Sequence, residues 1–310
     1  MAVTTLTQEA FEKSRRLIET TARPLEIAMF RHAFDGASGE SVVEALKKYQ
    51  NTDGGFGHAL EPDLRTNESS ALCTSIAFRV LRSIQAERDR TLVSAGIAYL
   101  LETLDRKQAH WQIIPRSAEQ SSHAPWWNQA GREDAFDDFS LNPTAEILGY
   151  LYDYHGEVHR DILSRITDQL IRHLSDLEEI EMHELICCLR LSQTKTLPED
   201  IGQLIRKKLI QLISATVSND PAQWKEYSLR PVQVVDDPGS PFLLGREEAV
   251  AVNLDYEISS QNEDGSWVPT WSWGDAFPND WILAKREWTG ILTLEKLLLL
   301  NRFKRIEGIR

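Results

Sequence analysis

Two stretches far apart in the chain carry the same pattern. Residues 50–56 read Gln-Asn-Thr-Asp-Gly-Gly-Phe, and residues 261–267 read Gln-Asn-Glu-Asp-Gly-Ser-Trp. Each follows a segment of helical periodicity (ALKKYQ in one, DYEISSQ in the other) and precedes a loop and a further helical segment. A repeat constrains a fold strongly, because each copy must bury its apolar face against a neighbour. The pattern has a physical reading. The Gln closes a helix and can bond nearby backbone; Asp-Gly supplies a turn in which Gly takes positive φ. The aromatic residue then plugs the space between adjacent helix pairs. A degenerate third copy runs from Leu104 to Pro115, matching Trp111 to Trp267 and Pro115 to Pro269. The helices that follow also match, with Thr74, Thr144 and Thr289 each opening an apolar run that ends at Leu81, Leu151 and Leu297.

Helical spacing of apolar residues dominates elsewhere. It predicts helices over 8–34, broken by Pro24, and over 39–50, 69–86, 91–105, 143–155, 159–175, 178–192, 199–217, 246–260 and 281–303, with starts at Ser38, Ser69 and Asn142–Pro143. Alternating runs long enough for a sheet are scarce, so the expected class is all-α. Three segments break the pattern: the Gly-rich acidic 51–68, the Trp-bearing 106–141, and 218–245, whose Pro221, Pro231, Pro238 and Pro241 forbid a continuous helix. With Trp224, Tyr227 and Phe242, the last reads as an ordered strap or a lid.

The chain has 34 Lys and Arg against 47 Asp and Glu, a formal charge of −13, which disfavours non-specific contact with nucleic acid or anionic membrane. Three cysteines, two of them adjacent, make no disulfide framework and fit a reducing compartment. The first residues read as helix rather than a signal peptide, and no run is long enough to span a membrane. A cytoplasmic location is expected. The Leu-rich last helix suits core packing and dimerisation alike, so no oligomeric state is assigned.

The repeats QNTDGGFG and QNEDGSW resemble the Gln–Trp motifs of the terpene cyclase and protein prenyltransferase superfamily, in the squalene–hopene cyclase style. The resemblance covers about 39–156 and 246–303. It implies one α/α toroid over residues 1–310, built of about five or six helix hairpins with an irregular Pro-rich insertion near 218–245, its inner helices lining an apolar cavity. The same toroid also serves carbohydrate-active enzymes and non-enzymatic modules. The superfamily's catalytic motifs are not carried over. Where class II cyclases have Asp-x-Asp-Asp-Thr-Ala, this chain has Leu141-Asn142-Pro143-Thr144-Ala145, with Asp138 misplaced upstream. The Asp-Asp-x-x-Asp metal motif is absent, and none of Cys73, Cys187 and Cys188 follows an Asp at the spacing of a prenyltransferase zinc site.

Glu61, Asp63 and Arg65, just after His58, form the leading polar cluster in a loop between a repeat turn and its inner helix. His58, Glu61 and Asp63 are candidates for acid/base work, since carboxylates in a desolvated cavity hold their protons more tightly; helix capping or pairing with Arg65 is the structural alternative. Glu133, Asp134, Asp137 and Asp138 form the second cluster, a candidate second acid/base partner or Mg site, or a solvated acidic loop. No cofactor is firmly implied. Trp126 and Trp127 lie beside that loop, and Trp267, Trp271, Trp273 and Trp281, with Asp275 and Asp280, follow the last repeat turn. Such rings stabilise a carbocation, stack on sugars or pack helices. Arg65, Asn142 and these tryptophans are the substrate-binding candidates. His155 and His159 have helical spacing but no third metal ligand, and Cys187–Cys188 reads as core. Three functions stay open: acid-initiated cyclisation or isomerisation of an apolar isoprenoid-like substrate with Asp63 as proton donor; a carbohydrate hydrolase or lyase pairing Asp63 with a carboxylate of 133–138; and a non-catalytic small-molecule-binding toroid.

Overall fold

The computed structural model describes residues 3–85, 90–132, 134–154, 156 and 158–309. Glu133 and His155 of the candidate clusters lie outside them. The described residues form twelve α-helices: α1 (Gln8–Thr21), α2 (Pro24–Asp35), α3 (Gly39–Lys47), α4 (Ala71–Ser83), α5 (Arg90–Thr103), α6 (Leu141–Asp153), α7 (Arg160–Asp176), α8 (Met182–Ser192), α9 (Glu199–Thr216), α10 (Pro231–Val234), α11 (Glu247–Ser259) and α12 (Pro278–Arg302). Pairing outside helices is limited, among these residues, to isolated bridges. The chain is all-α.

Start signals act as the residues suggest, with small shifts. Ser38 accepts from the Glu40 N–H at 3.2 Å, and Pro24 opens α2, which ends at Gly36 in the left-handed conformation. The cap of α4 is Ser70 rather than Ser69, its hydroxyl accepting from Cys73 N–H at 3.0 Å. Ser140 caps α6, and Asn142 stays extended so that regular helix begins at Pro143.

The chain divides into two compact units, Leu46–Thr216 and Met1–Ala45 with Val217–Arg310. In the first, α4, α6 and α8 pack in a row, with α5 on α4, α7 on α6 and α9 on α8. In the second, α12 packs on α1 and α2, and α10 on α11. The two chain ends are joined within that unit, Leu6 N–H donating to Arg305 C=O at 2.7 Å and Glu307 N–H to Leu6 C=O at 3.0 Å. The 218–245 segment is ordered there: Trp224 is fully buried, packs edge-on against Tyr256, and donates its indole N–H to Ser218 C=O at 2.8 Å.

The two good repeat turns have one geometry. Asn51 N–H donates to Gly55 C=O and Asn262 N–H to Ser266 C=O, both at 2.9 Å. Asp53 and Asp264 accept from the N–H two residues on, again at 2.9 Å. Gly54 and Gly265 have φ of 89° and 90°. The Gln amide spans the turn and reaches a second helix: Gln50 donates to Gly54 C=O and to Leu92 C=O of α5, Gln261 to Gly265 C=O and to Ala10 C=O of α1. Phe56 and Trp267 are buried, and their N–H groups donate to Thr74 and Thr293 hydroxyls, both at 3.1 Å. Thr293, one turn beyond Thr289, is thus the counterpart of Thr74. The helix sets this register, because only the later turn reaches the plug.

The degenerate copy keeps the plug and loses the glycine. Trp111 donates its indole N–H to Leu100 C=O of the preceding helix at 2.7 Å, as Trp267 does to Glu257 C=O at 2.9 Å. Ala109, two residues before Trp111, takes φ of 57° where the other copies have glycine. A Cβ on Gly54 would lie 2.3 Å from Ala95 O, and one on Gly265 2.5 Å from Ser14 N, both backbone atoms. Gly54→Ala and Gly265→Ala are therefore expected to cost about 3 kcal/mol each, combining strain with a backbone clash. Ala109→Gly, which relieves the same strain, is expected to cost no more than about 0.5 kcal/mol; urea unfolding of the three variants checks the contrast.

Candidate functional site

The loops that lead into α4 and α6 are stitched to each other. Arg65 N–H donates to Ser122 C=O and Ala124 N–H to Asp63 C=O, both at 2.9 Å, and Leu64 bridges His123. Leu64, Ile113, Ile114 and Ala118 form a small apolar cluster against which Leu72, Trp127 and Phe136 pack. The cluster explains the stitching, since neither loop alone could bury these side chains. It draws the two leading sequence constellations, 58–65 and 134–138, to one end of the α4–α6 layer.

The candidate side chains differ in their surroundings there. Asp63 is 3% exposed, whereas Glu61 is half-buried and Asp138 exposed. His58 is exposed, sits at φ 54°, and places Nε2 2.8 Å from Asn51 Oδ1. Both oxygens of Asp137 are engaged, Oδ2 by Arg116 at 2.6 Å and Oδ1 by Gln112 Nε2 at 3.0 Å. Arg65 reaches Pro62 C=O at 3.5 Å. Asn142 Oδ1 lies 3.5 Å from Cys187 Sγ. Trp127 covers the apolar cluster and stands against Phe136, while Trp126 is 44% exposed.

The remaining candidate tryptophans lie in the other unit. Trp267 and Trp273 are buried, Trp273 packing against Trp281. Trp271 stands edge-on to both Trp288 and Tyr227, the latter 54% exposed. Among the described residues, no group of three or more His, Cys, Asp or Glu side chains is disposed to hold a metal ion. A half-open cavity of about 160 Å³ lies beside Leu104, Ala109 and Ile166, and none of the candidate residues lines it.

Two groups escaped the sequence reading. His123 is buried with Nδ1 2.6 Å from Ser121 C=O, which fixes the proton on that nitrogen and turns Nε2 towards Glu119, 3.7 Å away. The Glu119/His123 spacing of four was the available signal. The second group is a charged face on α4, α6 and α8. Glu146, 2% exposed, accepts from Arg190 at 2.7 Å, with the Ser75 hydroxyl also in reach and Arg79 nearby. One turn along, Arg82 bonds Asp153 at 2.5 Å and Thr194 at 3.2 Å, and lies over the Tyr150 ring at 4.4 Å. Its signal was charge at core-facing positions of apolar runs, Glu146 in TAEILGYL and Arg190 in HELICCLRL.

Burial pushes the Glu146 carboxyl up, but Arg190, Arg79 and Ser75 outweigh it and hold the group below its ordinary value. Burial likewise pushes the thiols of Cys187 and Cys188 up, consistent with inert core cysteines. A carboxylate depressed in the folded state contributes stability above its unfolded pKa, and that contribution is lost as pH falls through the folded value. Arg190→Met is expected to cost about 3 kcal/mol at neutral pH by leaving a buried carboxylate underpaired. The cost should shrink as the pH is lowered towards the carboxylate range, where Glu146 takes up a proton; denaturant melts at a series of pH values measure it.

No family model and no curated protein sequence matches this chain.

Proposed function

We propose that the chain is an α/α toroid in the style of the terpene cyclases and prenyltransferases, and that it performs acid-initiated cyclisation or isomerisation on an apolar, isoprenoid-like substrate. The toroid reading is supported by the alternation in the Leu46–Thr216 unit, a row of helices, α4, α6 and α8, each backed by the next helix in the chain, and by the common geometry of the two repeat turns. The observation that carries the reaction is the burial of Asp63 beside the apolar cluster of Leu64, Ile113 and Ile114. A proton donor for an alkene works best where water cannot compete for its proton. Asp137, one of the carboxylates of 133–138 that a paired-carboxylate mechanism could use, is already engaged by Arg116 and Gln112. Trp127, on the same cluster, supplies a π-face for a developing cation, worth about 1–2 kcal/mol.

A carbohydrate-active toroid is the second reading, favoured by the exposed Tyr227 edge-on to Trp271, a surface of the kind on which sugar rings stack. A ligand-induced melting screen of prenyl compounds against oligosaccharides separates the two. The first reading expects stabilisation by prenyl compounds, product formation detectable by mass spectrometry, and a loss of turnover of about 100-fold or more in Asp63→Asn with its fold retained. Wild-type rates in that variant would remove Asp63 from the mechanism. Stabilisation by oligosaccharides alone would replace the reading by the second.

A further inference from the structure

The charged face on α4, α6 and α8 holds more cation than its own structure needs. Three guanidinium groups, Arg79, Arg82 and Arg190, stand against two carboxylates, Glu146 and Asp153, in a chain whose overall charge is −13. Arg82 is committed to Asp153 and Thr194. Arg190 gives Nη1 to Glu146 and keeps its side chain 29% exposed above a carboxylate that is 3% exposed. Arg79 is half-buried, one turn along α4 from Ser75, and takes part in no hydrogen bond or ion pair among the described residues. Arg190 already compensates Glu146, so a second arginine held close to it is not required for the buried pair.

We propose that this face is an oxyanion site, in which Arg79 and Arg190 take a phosphate or carboxylate group of a small-molecule ligand. The planar fork of a guanidinium matches both groups with two parallel N–H···O bonds. Glu146 at the floor holds Arg190 in place, and Ser75 and the Arg82–Asp153 pair fix the adjoining turns, so the site is pre-organised before a ligand arrives. The Tyr150 ring, clamped beneath Arg82 one turn beyond Glu146, walls the site on the α6 side. The helical spacing makes the face continuous: Ser75, Arg79 and Arg82 share a side of α4, Glu146, Tyr150 and Asp153 a side of α6, and Cys187 and Arg190 a side of α8, with Thr194 just beyond its end. This site does not depend on the proposed reaction.

The test titrates the full-length protein at low ionic strength with inorganic phosphate and, separately, with succinate, by calorimetry and thermal melting. Saturable binding of either is expected, and the tighter probe identifies which oxyanion the site takes. Arg79→Gln should weaken it about tenfold or more, whereas Arg172→Gln, on the exposed face of α7, should leave it unchanged. If neither probe binds saturably, or if Arg79→Gln binds as the wild type does, the proposal is wrong. Should the Gln variant not fold, Arg79→Lys decides: a point charge lacks the fork, so stabilisation equal to the wild type would overturn the assignment as well.

Discussion

A single side-chain amide organises each of the two well-formed repeats. Gln50 and Gln261 both close a helix, brace their own Asp-Gly turn, and donate to a carbonyl in the first turns of another helix, α5 or α1. Those carbonyls lie inside helices and are already accepting, so the extra bond fixes position rather than completing a missing one. The glycine that follows must be glycine, because the turn is left-handed and the neighbouring backbone leaves no room for a Cβ. With the turn fixed, the next aromatic residue has one place to go. Its N–H meets a threonine hydroxyl on the following inner helix, Thr74 or Thr293.

Polar groups in the interior follow from the same economy of space. Helices packed in rows leave seams where the side chains of three elements meet, and a charge there survives only with a partner. In one unit that seam holds Glu146 with Arg190. In the other, Glu257, fully buried, is met by Arg230 at 2.9 Å and Lys296 at 2.8 Å. Burial pushes the Glu257 carboxyl up, but Lys296 and Arg230 together hold it below its ordinary value. Both pairs join residues distant in sequence, so they report that particular helices have met. Their desolvation cost makes them better guarantors of register than sources of net stability.

The candidate site is governed by a different constraint. Its loops carry carboxylates, but an apolar cluster of Leu64, Ile113, Ile114 and Ala118 decides which of them leave solvent. Asp63 adjoins Leu64 and is buried with it, while Asp137 is held at the rim by Arg116 and Gln112. Similar acidic residues thus acquire different surroundings from one packing event.

Much of this was legible in the chain itself. The helices follow from apolar periodicity, the turns from Gln, Asp and Gly at fixed spacing, and the Trp111 plug from its match to Trp267, because these depend on neighbours within a few residues. The threonine that receives the last plug, Thr293, lies one turn beyond Thr289, which opens the matching apolar run, since periodicity gives the face of a helix but not how far along it a plug will land. Glu119 with His123, and Arg79 and Arg190 with Glu146, were not legible as groups. A charged residue in an apolar helix has no meaning until the helix across from it is known. Local stereochemistry fixes elements and turns over short distances; the pairing of buried charges and the burial of Asp63 are set by contacts across tens of residues of sequence, which tertiary packing alone brings about.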